Sequence, residues 1–256
     1  MNENTRLNNI LKKLEEHGYL SVAELSTHVF ASQPTIRRDL IVLERKGLIN
    51  RYHGGATLAK EYVPPLNARL GLMKREKQKI AKTAVSLIEE GNVVFIDTSS
   101  TALALIPYLS RIPNVLAVTN SLPAVSLLNN AEVRTVCTGG EYDKTAMGFI
   151  GHQAESIFNS IMVDVAFMSA PNINKDGIIS DYSLGTTYVR QNVLQTCKKS
   201  VFLFDNSKFG KTATFRLATI DDFDYLVADF DFEKSFNSRV IKTTENEGVF
   251  FGSFKN

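Results

Sequence analysis

The 256 residues contain no tryptophan, two cysteines, four histidines and seven prolines. With Cys137 and Cys197 alone, a disulfide-stapled framework is excluded, and both read as reduced thiols. His17, His28, His53 and His152 are scattered without ligand spacing, and neither cysteine has a histidine nearby, so no metal is expected. The glycine pairs lack the Gly-x-Gly-x-x-Gly order of a dinucleotide loop, and no Lys-Ser/Thr completes a P-loop, so no cofactor is expected. No apolar run approaches the roughly 20 residues that span a bilayer. Met1-Asn2-Glu3-Asn4 opens no secretory signal, so the expected location is cytoplasmic, with no membrane partner.

What remains is an ordinary globular composition, 44% hydrophobic and 22% charged, at a length comfortable for two unequal domains. The net charge of +2 hides an asymmetry. Residues 1–82 carry 15 Lys/Arg against 8 Asp/Glu, whereas residues 83–256 carry 14 against 19. A basic first third on a mildly acidic body predicts that the front meets a polyanion and the rest does not.

The front is organised around Ser32-Gln33-Pro34-Thr35-Ile36-Arg37-Arg38-Asp39-Leu40. Ser32 suits an N-cap whose hydroxyl accepts a backbone N–H, and Pro34 fits a first helical turn. Ile36, Leu40 and Leu43 then form an apolar stripe, leaving Thr35, Arg37, Arg38 and Ile41 on the other side. Two guanidinium groups at a helix N-terminus suit phosphate or the O6/N7 edge of guanine. An amphipathic helix with a solvated basic face would show the same pattern, so the flanking segments decide. Leu7, Ile10, Leu11 and Leu14 predict a helix over 4–17, ending at Gly18. Ser21-Val22-Ala23-Glu24 reads as a capping box for a second helix that buries Leu25 and Val29. Phe30-Ala31 is the turn, and Gly47 closes the third helix. Leu48 to Leu58, around Gly54-Gly55, reads as a β-hairpin. The sum is a small α+β winged helix-turn-helix over 1–58. Its expected contacts with duplex DNA are Ser32, Gln33, Thr35, Arg37 and Arg38 of the third helix, with Arg51, His53 and Gly54 of the wing. His53 could equally be structural. Residues 59–74, with Pro64-Pro65, predict a linker.

Residues 75–256 predict an α/β domain with a mostly parallel sheet. A basic amphipathic helix runs from Met73 to Glu90, with Lys74, Arg75, Lys77, Lys79 and Lys82 on a solvated face. Short apolar strands at Val93–Ile96, Leu116–Val118, Val133–Cys137, Val163–Met168 and Val201–Phe204 alternate with helices, the first of which runs from Thr98 through Leu109. Ligands of such sheets bind where the strands end, and polar or glycine residues recur at those points. Asp97, Thr98, Ser99, Ser100 and Thr101 follow one strand, Thr119, Asn120 and Ser121 a second, and Gly139 and Gly140 a third. Lys208 adds a cation, while Asp97 and Asp181 can accept from sugar hydroxyls. Backbone N–H groups, hydroxyls and close backbone approach at glycine together suit a small phosphorylated polyol. Any one of these loops alone reads more readily as a helix cap or a turn, and it is their recurrence at successive strand ends that points to a ligand site.

The segments Thr35-Ile36-Arg37-Arg38-Asp39-Leu40, Leu43-Glu44, Gly47 and Arg51-Tyr52-His53-Gly54-Gly55-Ala56 closely resemble the signature of the DeoR family of bacterial transcriptional regulators. Further matches are Lys77 with Ile80-Ala81, Asp97 with Ser100-Thr101, Thr119-Asn120-Ser121, Gly139-Gly140, Asp164 with Phe167, and Asp205-Asn206-Ser207-Lys208-Phe209-Gly210. The resemblance implies a winged-helix domain joined to a sensor domain similar in fold to ribose-5-phosphate isomerase. It also implies oligomeric repressors released by phosphorylated sugars. Two departures stand out: Ser99 where the family usually has glycine, and a Ser183–Thr187 segment without the acidic residues often found there. The expected function is a DNA-binding repressor of a sugar-metabolism operon, a homo-oligomer (dimer or tetramer) and not an enzyme. A sugar-phosphate isomerase carrying a DNA-binding module is the alternative, but no glycine-rich loop followed by a glutamate supplies its base. A second domain that only oligomerises is a third reading.

Overall fold

A computed structural model describes residues 2–17, 19–52, 54–59, 66–230, 239–241 and 249–252. Gly18 and His53 lie outside the described residues. The chain divides into two compact units, Met1–Val63 and Pro64–Asn256.

In the first unit, α1 (Glu3–His17) turns Leu7, Ile10, Leu11 and Leu14 inward. Strand β1 (Tyr19–Ser21) leads into α2 (Val22–Val29) through a capping box. Ser21 Oγ accepts from Glu24 N at 3.2 Å, and Glu24 Oε2 accepts from Ser21 N at 2.7 Å. Such a cap is worth about 1 kcal/mol to a helix this short. Phe30 ends α2 in left-handed backbone (φ 53°), and α3 (Gln33–Arg45) follows with Pro34 in its first turn. Ser32 occupies the N-cap position, but its hydroxyl pairs with Thr35 Oγ1 at 2.9 Å instead of accepting a backbone N–H. The expected cap is therefore corrected: a second short hydroxyl three residues on competes for Ser32. Gly47 (φ +69°) turns the chain out of α3.

The hairpin consists of β2 (Ile49–Tyr52) and β3 (Gly55–Leu58). β1 completes an antiparallel sheet in the order β1-β3-β2. The three-residue β1 is too short for a periodicity signal. Ile36, Leu40 and Leu43 meet the α1 and α2 stripes in one core that Ile49 and Ala56 close from the sheet side. A half-buried ion pair, invisible in the apolar pattern, pins α1 to α3. Arg6 grips Asp39 with two prongs, Nε to Oδ2 at 2.6 Å and Nη2 to Oδ1 at 2.9 Å.

The second unit begins inside the expected linker. Residues Leu66–Gly71 form a helix, α4, and Leu66 is buried in the sensor core. The helix expected to reach Glu90 is α5 (Lys74–Ala84), which tightens into a 3-10 turn over Val85–Leu87. Then follow β4 (Val93–Ile96), α6 (Ser100–Leu103), α7 (Ile106–Leu109), β5 (Leu116–Thr119), α8 (Leu122–Asn130) and β6 (Arg134–Cys137). The single helix expected through Leu109 is thus two short ones, α7 starting afresh with Pro107 in its first turn. A hairpin of β7 (Glu141–Asp143) and β8 (Gly148–Ile150), then α9 (His152–Ser156), lead to β9 (Val165–Met168). Next come β10 (Asn172–Ile173), β11 (Ile178–Asp181), α10 (Leu184–Thr196) and β12 (Lys199–Phe204). The last described strands are β13 (Phe215–Thr219), β14 (Tyr225–Ala228), β15 (Arg239–Ile241) and β16 (Val249–Gly252).

The main sheet runs β15-β16-β14-β12-β9-β4-β5-β6. Its six strands from β14 to β6 are parallel, and β16 and β15 add antiparallel pairs at one edge. Alternate residues go to opposite layers, as a pleated strand demands. Val94, Ile96, Phe167, Val201 and Leu203 join the core beneath α5 to α8, while Phe95, Val118, Met168, Phe202 and Phe204 join the core with α10. Strand order reverses between β4 and β9: later strands go outward through β5 and β6 on one side, and through β12 and β14 on the other. In an open parallel sheet, that switch point leaves a crevice at the carboxyl ends. A small antiparallel sheet, β10-β11-β13, adjoins the same region and was not legible as alternating βα units.

Candidate functional site

On the first unit, α3 and the hairpin form a concave face lined by Gln33, Arg37 and Glu44 of α3, Ser21 at the α2 N-cap, and Arg51 and Gly54 of the hairpin. Ser32, Gln33, Arg37, Arg38, Arg51 and Gly54 are exposed, and Thr35 is half-buried. Arg37 donates to Gln33 Oε1 at 3.4 Å, a contact loose enough for a polyanion to replace. Arg51 is exposed on β2, and its Nε donates to Glu44 Oε2 of α3 at 2.7 Å. His53, expected at the tip, lies outside the described residues. Gly54 takes φ +88°, which the tight turn between β2 and β3 requires.

On the second unit, the residues that follow β4, β9 and β12 converge. Asp97 follows β4, Ser169 follows β9 and Asp205 follows β12, and all three are buried. The backbone N–H of Ser169 donates to Asp97 Oδ2 at 3.0 Å, directly across the switch point. Arg190 of α10 enters between two carboxylates, Nε to Asp97 Oδ2 at 2.7 Å and Nη1 to Asp181 Oδ2 at 2.5 Å. A third, weaker donation reaches Thr98 Oγ1 at 3.4 Å. Burial works against this guanidinium's charge, but Asp97 and Asp181 outweigh it and hold Arg190 above its ordinary value.

Asp97 and Asp181 were expected to accept from a ligand's hydroxyls. Their oxygens make hydrogen bonds within the chain. Asp97 Oδ1 accepts from Ser99 N at 2.8 Å, and Asp181 Oδ1 accepts from Tyr182 N at 2.6 Å and Ser183 N at 3.1 Å. The two carboxylates therefore orient Arg190 and the loops around it. Arg190 was missed because one arginine among Val189, Thr187 and Val193 gives no charge run. The signal available was Thr186, Thr187 and Arg190 on one buried helix face.

Lys208 sits in the single turn Asn206–Lys208 after β12. Its Nζ donates to Thr101 Oγ1 at 2.8 Å and to Ser169 Oγ at 2.6 Å, bridging the ends of β4 and β9. Loss of water pushes this ammonium's pKa down, and Arg69 and Arg190 push the same way against Asp205 and Asp97. The expected juxtaposition of Lys208 with the Asp97–Thr101 loop is thus present in the fold.

The remaining expected residues divide. Ser99 N-caps α6, accepting from Ala102 N at 3.1 Å, and its φ of −78° needs no glycine, so that departure from the family pattern costs nothing. Ser100 is buried beside it. Thr119 Oγ1 donates to Ile96 O at 2.6 Å, and Ser121 N-caps α8. Asn120 Nδ2 donates to Phe149 O at 3.0 Å, which fixes the amide's orientation. Its Oδ1 is then left buried without a partner among the described residues. Gly139 and Gly140 were expected to admit a ligand to the backbone. A Cβ on Gly139 would meet nothing within 4 Å, whereas one on Gly140 would come within 2.6 Å of Ile150 O and 3.1 Å of Ala154 Cβ, so Gly140 packs closely against β8 and α9.

Among the described residues no helix is long and apolar enough to cross a membrane. Comparison with known proteins matches residues 6–62 to the DeoR-like helix-turn-helix domain and residues 73–230 to the DeoR C terminal sensor domain. The HTH-type transcriptional regulator GolR of Listeria innocua is 31% identical over 90% of this chain and 92% of its own length. The glycerol-3-phosphate regulon repressor of Escherichia coli is 29% identical over 90% and 92%. The L-fucose operon activator of Haemophilus influenzae is 31% identical over 86% and 89%. Among solved structures, a D-ribose-5-phosphate isomerase in complex with phospho-erythronic acid aligns over 53% of this chain and 54% of its own, with 17% identity and a TM-score of 0.41. The relatives are transcription regulators, so the isomerase alternative falls away. With a helix-turn-helix unit in front and a sensor domain behind, both matched over most of their length, this chain belongs to the DeoR family of DNA-binding transcription regulators.

Proposed function

We propose that this regulator is a repressor of a sugar-metabolism operon, released when a phosphorylated sugar binds at the carboxyl ends of β4, β9 and β12. The observation that carries the reading is Lys208, an ammonium drawn out of water onto Thr101 and Ser169 at a switch-point crevice. A phosphate there adds counter-charge to that ammonium, and the helix-start amides of the Thr98–Thr101 loop add donors. The orphan Asn120 Oδ1 is an acceptor suited to a sugar hydroxyl. Relatives named for a glycerol-3-phosphate regulon and an L-fucose operon support a carbohydrate setting, one as repressor and one as activator.

In this reading residues 1–58 form the DNA-binding domain, 59–65 the connection and 66–256, from α4 on, the sensor and oligomerisation domain. Ser32, Gln33, Thr35, Arg37 and Arg38 enter the major groove, with Arg51, His53 and Gly54 on the flanking backbone. A homo-oligomer, dimer or tetramer, reads a repeated duplex operator. Effector releases DNA only by binding one arrangement more tightly than the other. The test is thermal melting of the full chain with glycerol 3-phosphate, glucose 6-phosphate, fructose 1-phosphate, ribose 5-phosphate and inorganic phosphate. A specific binder at a hundred times its Kd stabilises by about 2.7 kcal/mol. No shift with any of them sinks the reading.

A further inference from the structure

The turn that joins α2 to α3 carries the most exposed large apolar side chain among the described residues: Phe30 is 93% exposed. Its backbone is left-handed, φ 53° and ψ 47°, a conformation that crowds Cβ and that bulky residues rarely adopt. The position therefore bears two costs that a glycine there would avoid: backbone strain, and an aromatic ring left in water. The turn is not a loose one, because three hydrogen bonds to Ser26 of α2 fix it. Ser26 O accepts from Phe30 N and, at 3.2 Å, from Ala31 N, and Ser26 Oγ donates to Ala31 O at 2.6 Å. Strain that the surroundings hold in place calls for a functional reason.

The place of the turn in the chain supplies that reason. Phe30 stands two residues before the N-cap Ser32 and three before Gln33, where α3 begins. Its Cα is at most about 11 Å from that of Gln33, the span of roughly three base-pair steps. The residues exposed beside it at the start of α3 are polar or cationic: Ser32, Gln33, Arg37 and Arg38. An apolar protein partner docking on the ring would meet that charge at its rim. Duplex DNA meets counter-charge there instead, and its major groove displays one apolar group, the C5-methyl of thymine, which suits a phenylalanine ring.

We propose that Phe30 is a specificity residue of the DNA-binding unit, laying its ring against a thymine methyl beside the bases met by the first turn of α3, and that Ser26 is the positioning residue that holds it out. This rests on the reading of α3 in the major groove and adds to its arginines a contact of the opposite kind. Contacts of Arg37 and Arg38 with phosphate are electrostatic and weaken with salt. An apolar contact with a methyl group releases no counterion, so it sharpens the choice of sequence without raising affinity for duplex at large. Because Ser26 sets the turn before DNA arrives, little ordering is left for the binding step to supply.

The test uses the full chain and an operator duplex that this chain selects from a random-sequence pool. Each thymine of that duplex is replaced in turn by deoxyuridine, which removes only the methyl group. At one or more positions the parent's affinity is expected to fall about fourfold, the worth of one buried methyl group. F30A is expected to bind the unsubstituted duplex about fourfold more weakly or worse and to be indifferent to deoxyuridine at those positions. Its affinity for non-specific duplex, and the salt slope, should match the parent's. F30G separates function from folding: it relieves the left-handed strain, so its melting temperature should equal or exceed the parent's while operator affinity falls as in F30A. S26A is expected to lose the discrimination against deoxyuridine, and S26T to keep it. Undiminished operator binding by F30A, or a deoxyuridine effect that persists in it, overturns the role of Phe30, and discrimination retained in S26A overturns that of Ser26. An equal loss on operator and non-specific duplex, or a changed oligomeric mass, also overturns the inference, by placing the ring on the DNA backbone or against protein. If R37A/R38A is weakened and F30A is not, α3 keeps its groove and Phe30 alone is withdrawn. If neither variant is weakened, the groove reading falls as well.

Discussion

Arginine is the working residue of both units, in opposite settings. Arg37 and Arg38 stand in water on α3, so they cost the fold nothing and wait for a polyanion. Arg190 is enclosed, and two carboxylates hold it in place. An exposed cation can be removed with an effect on binding alone. A buried one is part of the architecture, and its removal leaves Asp97 and Asp181 as uncompensated charge. In the proposed reading the same side chain therefore reports on DNA in one unit and on folding in the other.

Arg190→Met should break the comparison most visibly. Stranding two buried carboxylates is expected to cost about 3–5 kcal/mol, roughly 10 °C in the sensor melting temperature. Urea unfolding of the full chain measures it, and a loss under about 1 kcal/mol would show that the frame is solvated. Replacing Arg37 and Arg38 with alanine is the opposite case. Operator affinity should fall by about ten- to a hundredfold per arginine, and the salt slope by about 1 for each phosphate no longer neutralised. Stability should stay within about 0.5 kcal/mol. Undiminished binding in a filter assay at moderate salt would take both arginines out of the interface.

The difference between the units also explains what could be read from the sequence. Exposed charge on an amphipathic helix is a one-dimensional pattern, so α3, its apolar stripe and the hairpin behind it were legible, as was the parallel sheet. The Asp97–Thr101 loop and Lys208 were found because strand ends mark themselves with polar residues. Arg190 and Ser169 were not, because a buried polar network is assembled from distant segments with no spacing rule. α4 escaped because six residues after Pro64-Pro65 give no periodicity, and Lys77 misled because a lysine among lysines reads as a solvated face. Arg6 with Asp39 was hidden for the same reason as Arg190: 33 residues separate the partners.

The acid–base behaviour of Lys77 sharpens the contrast. Burial first, then Lys208 and Arg69, against Asp205 and Glu76, bring its pKa from 10.5 to about 8. Below about pH 8 the ammonium is charged in both folded and unfolded chains, and the folded state carries the full cost. As pH rises from about 8 towards 10.5 the folded chain sheds its proton first, the unfolded chain binds more protons, and stability gains. The sensor's unfolding free energy should therefore rise over that window relative to K77M, in which the rise is absent. A parent and K77M that track each other from pH 7.5 to 10 would show that Lys77 is hydrated.

The smallest expected effect belongs to the pair in which the two settings meet. Glu44 and Arg51 lie on the surface, 2.7 Å apart, and such a pair contributes no more than about 1 kcal/mol to stability. Glu44→Gln should therefore leave the melting temperature nearly unchanged. The same carboxylate competes with a DNA phosphate for Arg51, so its removal should raise affinity for non-specific duplex by up to about fivefold, the equivalent of that 1 kcal/mol. The gain should fade as salt screens the arginine–phosphate attraction. If instead the variant binds its operator more weakly and non-specific DNA unchanged, Glu44 is reading a base edge, where a carboxylate accepts from cytosine N4. Arg51 would then be holding a specificity residue in position, and the exposed unit would share the enclosed one's device of a cation fixed by a carboxylate.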